Sequence, residues 1–152
     1  MLEIVGFCRL RYSHHLCYAD FSFFTEMIAL QKILIAHPAE EFTGPLAAAL
    51  RARYDVRICY TGPDALTMLD TLRPDILVIH LSLPILTGLD VLRNMCHRPE
   101  VIVAITNIAI SSVIDAAAEA GVDVIFPMPC RIRAVARQIN ALANRKIPLS
   151  GP

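Results

Sequence analysis

Residues 74–84 have the sequence Pro-Asp-Ile-Leu-Val-Ile-His-Leu-Ser-Leu-Pro, and their centre, Ile76–His80, is an aliphatic run with no polar alternation. A run of this kind is typical of a strand that is buried on both faces of a parallel sheet. Four other segments share this character, and we predict a strand in each: Lys32–Ala36, Val56–Tyr60, Val101–Thr106 and Val122–Phe126.

Segments of helical character separate these runs, and we predict five helices: Leu46–Arg53, Pro63–Leu72, Gly88–Cys96, Ile110–Ala120 and Arg131–Asn144. The first helix extends back toward Glu40, and its Gly44-Pro45 pair indicates either a late start or a kink. Thr61 is the expected N-terminal cap of the second helix, and Gly121 is the expected stop of the fourth.

This alternation of strands and helices predicts an α/β fold, a doubly wound (βα)5 parallel sheet with right-handed crossovers and helices on both faces. In such sheets ligands bind at the carboxyl ends of the strands, near the point where the strand order reverses. The residues that directly follow each strand are therefore the candidates for a functional site.

Composition limits the class of protein. Of the 152 residues, 55% are hydrophobic and 18% are charged, which is typical of one packed globular domain. The 14 basic residues balance the 14 acidic ones, so net charge favours neither nucleic acid nor an anionic membrane as a partner. The longest charge-free runs fall short of the roughly 20 residues of a membrane span, and no basic segment opens the chain. We therefore expect a cytoplasmic protein.

The five cysteines are odd in number, lie far apart and form no Cys-x-x-Cys pair: Cys8, Cys17, Cys59, Cys96 and Cys130. This pattern argues against a disulfide framework or a zinc ribbon, and we interpret them as small buried thiols in a reducing compartment.

The two ends of the chain do not fit the repeat. We divide the chain into an N-terminal extension (1–30), one domain (31–144) and a C-terminal linker or tail (145–152). The extension is interpreted either as disordered or as the product of a wrongly assigned start, with Met27 as the alternative initiator. Metal binding by the group Cys8, His14, His15 and Cys17 is not expected, because its spacing matches no tetrahedral site.

Several motifs follow one another in a specific order: Lys-Ile-Leu-Ile-Ala at 32–36, Pro-Asp-Ile-Leu-Val at 74–78, Leu83-Pro84-x-x-x-Gly88, Val-Ala-Ile-Thr at 103–106, Ala118-x-x-Gly121-Val122-Asp123, and Pro129. In this order, residues 32–144 resemble the CheY-like receiver domain of bacterial response regulators. The resemblance implies a flavodoxin-like sheet of order 2-1-3-4-5. It also implies phosphoryl transfer from a histidine kinase to an aspartate.

That chemistry needs a carboxylate nucleophile, Mg²⁺ held by further carboxylates, a hydroxyl and an ammonium group. At the positions matched by the resemblance, this sequence has His37 and Pro38 for the acidic pair, His80 for the acceptor aspartate, Met128 for the lysine, Ile125 for the aromatic switch residue, and Thr106 for the retained hydroxyl. We therefore expect a vestigial pocket that has no catalytic residue, has lost its Mg²⁺ site and needs no cofactor, in a protein that is not an enzyme.

Other uses of the same pocket stay open. With the receiver strand order, His37 and His80 would be neighbours, and two imidazoles could share Zn²⁺ or another borderline metal. No third ligand is evident, so two hydrogen-bonded histidines without a metal are the simpler interpretation. Phosphorylation of His80 and a protonation switch are further alternatives. A flavodoxin-like enzyme is disfavoured, because residues 37–41 lack a phosphate-cradling loop.

In receivers generally, the face formed by helix four, strand five and helix five carries partner and dimer contacts. The candidates for such contacts here are the basic residues Arg131, Arg133 and Arg137 with the acidic residues Asp115, Glu119 and Asp123. The alternative is a solvated basic face.

Our hypothesis is a pseudo-receiver that acts in signalling or transcription regulation without phosphorylation, through a protein partner or a homodimer. This domain itself would contact neither nucleic acid nor membrane. The second hypothesis is a domain that senses a metal or a small ligand through the pocket of His37 and His80.

Overall fold

A computed structural model of the chain describes residues 30–147, in which five strands alternate with five helices. The strands are β1 (Gln31–Ala36), β2 (Tyr54–Cys59), β3 (Ile76–His80), β4 (Val101–Thr106) and β5 (Val124–Pro127). The helices are α1 (Glu40–Leu50), α2 (Gly62–Leu72), α3 (Gly88–Asn94), α4 (Ser111–Glu119) and α5 (Ile132–Lys146). The expectations for Met27 and for the cysteine and histidine residues before it lie outside the described residues.

All strands are parallel, and their order in the sheet is β2-β1-β3-β4-β5. The predicted fold class and strand order are therefore confirmed. In the register of the central strands, Ala36 pairs with Ile79 and His80 pairs with Ile105. The carboxyl ends of β1, β3 and β4 therefore meet at one edge of the sheet, which we call the carboxyl edge.

The sheet separates two hydrophobic clusters. Ile33 and Ile35 pack with α1 and α5 on one face, whereas Leu34 and Ala36 pack with α2, α3 and α4 on the other. Every residue of β3 is buried. Because successive side chains of a strand point to opposite faces, covering both faces requires apolar residues at every position, which explains the missing polar alternation.

Helix α1 runs through Pro45 and starts at Glu40, so the late start is wrong and the extension toward Glu40 is confirmed. Proline removes one backbone donor from a helix. Gly44 and Pro45 are both exposed, while Phe42 and Leu46 on the opposite side are buried. The interruption therefore lies on the solvent side, where water can satisfy the carbonyl that loses its partner.

The predicted start of β5 is wrong by two residues, because helix α4 is followed by a closing turn. Gly121 has a left-handed backbone with φ of 84°, as expected of a helix stop, and the N–H of Val122 still bonds to the oxygen of Ala117 at 3.1 Å. Val122 therefore belongs to the turn, and the strand begins at Val124.

The predicted limits of β2 and of the last helix also differ from the structure. Strand β2 begins at Tyr54, because α1 ends at Leu50 and a short turn follows, closed by a 3.0 Å bond from Arg53 N–H to the Leu50 oxygen. Helix α5 extends to Lys146, whose ammonium group forms an ion pair with Asp123. Residues 145 and 146 therefore belong to the helix and not to the predicted tail.

Among the helices of residues 30–147, none combines the length and the apolar character that a membrane span requires.

Replacement of Gly88 by alanine is expected to lower the free energy of unfolding by about 1–3 kcal/mol, because the site is already filled. The added Cβ would overlap the backbone oxygen of His80 and come 2.9 Å from the Cα of Leu81, and backbone atoms cannot rotate away. The measurement is urea denaturation.

The matched control is Gly44→Ala, since a Cβ there meets no atom within 4 Å. Alanine is the better helix former, so this variant is expected to gain about 0.5–1 kcal/mol. Equal stability of the two variants would contradict the packing of Gly88 against β3.

Candidate functional site

The structure brings His37 and His80 together at the carboxyl edge. His37 directly follows β1, and its backbone N–H continues the pairing of that strand by bonding to the Cys59 oxygen at 3.1 Å. His80 is the last residue of β3. The two imidazole centroids are 4.7 Å apart, and the rings are nearly perpendicular at 78°. The predicted neighbourhood of the two histidines is therefore observed.

The ring of His37 is enclosed by its own loop and by helix α1. Its exposed fraction is 3%, and it stacks on Phe42 with ring centroids 4.4 Å apart. Its Nδ1 accepts the backbone N–H of Ala39 at 3.0 Å. Its Nε2 is buried and has no hydrogen-bond partner among the described residues.

His80 is held in the same way. Its exposed fraction is 5%, and its Nδ1 accepts the N–H of Ser82 at 3.1 Å. A nitrogen that accepts a hydrogen bond carries no proton, so the proton of the neutral ring lies on Nε2. In both His37 and His80, therefore, Nε2 carries an N–H group that can donate a hydrogen bond. The lone pair of Nδ1 already accepts a backbone N–H.

Both histidines resist protonation. Burial, reinforced by the neighbouring His80, lowers the pKa of His37 to about 4. Burial likewise lowers the pKa of His80. A positive charge in either ring would be poorly solvated, and protonation of Nδ1 would bring two N–H groups face to face. The pair is therefore uncharged at neutral pH.

The other pocket residues make contacts of their own. Thr106 is buried, and its hydroxyl both donates to the oxygen and accepts from the N–H of Ile108, each at 3.0 Å. Met128 packs against the cluster of α1 and α5, and its sulfur lies 3.5 Å from that of Cys130. Pro38 is exposed. The retained hydroxyl of Thr106 is thus occupied by its own loop.

Ile125, at the predicted switch position, is half-buried in β5 and packs on the cluster of α2, α3 and α4.

Carboxylates and thiols do not gather at this edge. The acidic residues next to the pocket, Glu40 and Glu41, are exposed in the first turn of α1. Within residues 30–147, no three His, Cys, Asp or Glu side chains are grouped to hold a metal ion. Cys59 is buried, and burial raises its pKa to about 12. Cys96 is exposed, so the expectation of buried thiols is wrong there.

The α4–β5–α5 face carries exposed charges, but one of the predicted acidic groups is engaged within the domain. Asp123 pairs with Lys146, and its carboxylate accepts the N–H of Ile102 at 2.8 Å. The other five members of the predicted set are exposed: Asp115, Glu119, Arg131, Arg133 and Arg137. Asp123 therefore fastens α5 and β4 to the β5 end of the sheet.

Sequence reasoning missed Ile85, in the loop that follows β3. Its φ is 71° and its exposed fraction is 84%. A β-branched residue rarely adopts a positive φ, so its sequence carried no signal for this conformation.

Comparison with known proteins identifies the architecture. No protein-family model matches the chain. Response regulator MprA from Mycobacterium sp. strains KMS and JLS is 30% identical over 101 residues, which cover 65% of this chain. The match spans only 44% of the length of these curated relatives.

Solved structures extend the likeness to the whole described domain. A CheY-like response regulator receiver domain protein from Methanospirillum hungatei superposes with a TM-score of 0.69 at 18% identity, over 78% of this chain and 97% of that one. The receiver domain of sensor histidine kinase PA1611 from Pseudomonas aeruginosa has a TM-score of 0.65 at 22% identity, over 76% and 99%. Residues 31–146 have the receiver fold. The PA1611 domain holds a magnesium ion in its active-site cleft.

Acid is expected to destabilise the protein through His37. The unfolded imidazole takes up a proton near its ordinary pKa of 6.5, whereas the folded one does so only near pH 4. The neutral His37 side chain therefore makes its full contribution to the free energy of unfolding above about pH 6.5. As the pH falls toward 4, the free energy of unfolding decreases by about 3 kcal/mol through this group. Urea denaturation between pH 7 and pH 4 measures this loss.

The control is His37→Phe, which keeps an aromatic ring against Phe42 and removes the titrating group. Its stability should depend less steeply on pH over the same range, since unfolding no longer takes up the proton of His37. If the free energy of unfolding of His37→Phe depends on pH as steeply as that of the wild type, the acid sensitivity belongs to other groups.

Proposed function

We propose that residues 31–146 are an atypical receiver domain of the two-component response regulator type, which acts through protein contacts and accepts no phosphoryl group. The receiver fold and the match to MprA regulators support the regulator assignment. A role in transcription regulation rests on the same likeness to MprA. The loss of phosphorylation rests on the His37–His80 pair, in which both Nδ1 atoms accept backbone N–H groups.

The first argument concerns the nucleophile. Attack on phosphorus needs an anionic oxygen or a nitrogen lone pair. In the resemblance to receivers, the acceptor aspartate corresponds to His80, whose Nε2 carries the ring proton because its Nδ1 accepts Ser82 N–H. Freeing Nε2 would move the proton to Nδ1 and break that bond. We therefore infer that His80 does not replace the aspartate as a phosphoryl acceptor.

The second argument concerns charge. Mg²⁺ takes oxygen ligands in octahedral geometry, whereas His37 and His80 offer imidazole nitrogens and the side chain of Pro38 offers no donor. The predicted lysine position holds Met128, which carries no charge. These residues do not fit Mg²⁺, and a transferred phosphoryl group would lack both of its positive partners.

The ring geometry also argues against the metal-sensor alternative. A histidine that binds a metal through one nitrogen normally donates the N–H of the other to an acceptor. In His37 and His80 the second nitrogen already faces a backbone donor, from Ala39 and Ser82 respectively. Metal binding at Nε2 would therefore require both loops to rearrange.

Because the pocket is inactive in this proposal, signalling would depend on contacts between the protein surface and a partner. Helix α4 buries only Ala117, so most of its surface is available to a partner. The acidic Asp115 and Glu119 of α4 and the basic Arg133 and Arg137 of α5 are exposed. We propose that the α4–β5–α5 face binds a protein partner or a second copy.

Amide NMR of the full chain tests the loss of phosphorylation. Addition of Mg²⁺ followed by beryllofluoride is expected to cause no saturable shift at His80 or Thr106, because the pocket lacks the oxygen ligands and the cation that would hold them. Acetyl phosphate with Mg²⁺ is likewise expected to leave the mass of the protein unchanged.

A saturable response at both residues, or a stable phosphoryl adduct, would overturn the proposal. Zn²⁺ is the matched second titrant: shifts limited to His37 and His80 at stoichiometric metal would instead support the sensor alternative.

A further inference from the structure

The charges of the described domain are distributed unevenly between the two faces of the sheet. Helices α1 and α5 pack on one face, and with the turns that follow them (40–53 and 132–147) they carry six basic and two acidic residues. The helices of the other face, with the turns that follow them (62–75, 88–100 and 111–123), carry three basic and eight acidic residues. The balanced net charge of the chain therefore hides one face with an excess of positive charge.

Part of this positive charge lies in a row along α5. Arg133, Arg137, Asn140 and Asn144 are separated by four, three and four residues, a spacing that places them on one side of the helix. Tyr54, the first residue of β2, donates its hydroxyl to Asn140 Oδ1 at 2.8 Å. This side of α5 is therefore turned toward the start of β2 and the end of α1.

Two arginines that follow α1 extend the row. Arg53 donates from its guanidinium to Asn144 Oδ1 at 3.4 Å, and Arg51 is the residue that ends α1. All four arginines are exposed, and none of them pairs with a carboxylate of residues 30–147. We call this set the basic row: Arg51, Arg53, Arg133, Arg137, Asn140 and Asn144.

Few carboxylates accompany the basic row. Glu40 and Glu41 lie in the first turn of α1, at the carboxyl edge, and a helix of this length separates them from Arg51 by roughly 15 Å. Asp55, which follows Arg53 in sequence, already pairs with Arg57 at 3.1 Å. The positive charge of the row is therefore least opposed at the end opposite the carboxyl edge.

We propose that the basic row binds the phosphate backbone of duplex nucleic acid without reading its sequence. From Arg133 to Asn144 the row is about 16 Å long, which corresponds to about five phosphates along one DNA strand. A guanidinium group binds phosphate through two parallel hydrogen bonds, and an asparagine amide donates to the same oxygens. This proposal departs from our expectation of no nucleic-acid contact, which rested on the net charge of the whole chain.

Other anionic partners fit the row less well. A second copy would have to present its acidic face, and a contact between two different surfaces does not close unless the rotation forms a ring. An acidic protein offers carboxylates at irregular spacing, whereas a nucleic acid strand offers one phosphate at each regular step. The straight spacing of the row along α5 therefore favours the nucleic acid.

Fluorescence anisotropy of the full chain with a labelled duplex of about 20 base pairs tests the proposal. At about 50 mM salt we expect a Kd on the order of 10–100 µM. The logarithm of the association constant should fall with the logarithm of the salt concentration at a slope of about −3 to −4, as four arginine–phosphate contacts require. Duplexes of different sequence should bind alike.

Two double variants locate the contact. Arg133→Gln/Arg137→Gln and Arg51→Gln/Arg53→Gln should each weaken binding by about tenfold or more and reduce the salt slope by about 2. Arg51 and Arg53 follow α1, so their effect does not depend on the α4–β5–α5 face. Arg133→Lys/Arg137→Lys keeps both charges and should keep the slope.

The matched control is Arg73→Gln/Arg93→Gln. It removes two exposed arginines from the other face, one after α2 and one in α3, and changes the net charge by the same amount. Binding should stay within about twofold of the wild type. Because every substituted side chain is exposed, all variants are expected to unfold in urea at the wild-type midpoint.

Absence of binding at low salt, or a salt slope near zero, overturns the proposal. Equal weakening by the control variant overturns it too, because the effect would then follow net charge and not the row. A dependence on Arg133 and Arg137 alone, with Arg51→Gln/Arg53→Gln unchanged, would contradict the row as defined. A preference of more than about tenfold for one sequence would contradict binding through phosphates alone. The NMR test of phosphorylation is independent of these outcomes.

Discussion

The burial of strand β3 on both faces is the constraint on which the rest of the structure depends. β3 lies between β1 and β4, and all of its side chains are buried. Its register with β1 and β4 determines which residues meet at the carboxyl edge, and it places His80 beside His37. The same burial leaves no space between β3 and α3, where Gly88 approaches the His80 backbone.

At that edge, two backbone donors decide the chemistry of the histidine pair. The N–H groups of Ala39 and Ser82 occupy the Nδ1 atoms of His37 and His80. Protonation, metal binding and attack on phosphorus each require a free lone pair on a ring nitrogen. In both rings the lone pair of Nδ1 accepts a backbone N–H, and Nε2 carries the ring proton, so neither nitrogen has a free lone pair. Burial lowers both pKa values, so electrostatics and hydrogen bonding act in the same direction and favour neutral rings.

An uncharged pocket changes what the carboxyl edge can offer a partner. In parallel α/β sheets this edge is the usual place for ligands, and the loops here combine neutral imidazoles with exposed aliphatic side chains.

The sequence by itself determined the strand–helix alternation, the two-faced burial of the sheet, the cap at Thr61 and the stop at Gly121. These features depend on side-chain periodicity and on contacts between residues a few positions apart. The candidate pocket of His37 and His80 also followed from the sequence once the strand order was supplied by the resemblance to receivers.

Tertiary structure alone decided the remaining features, because each depends on which segments meet. Helix α1 continues through Pro45 since that side faces solvent, and α5 extends to Lys146 where Asp123 is within reach. The orientation of the His37 ring is set by its contacts with Phe42 and His80. The turn that exposes Ile85 is held by bonds from Gly62 and Gly88, which lie on two different helices.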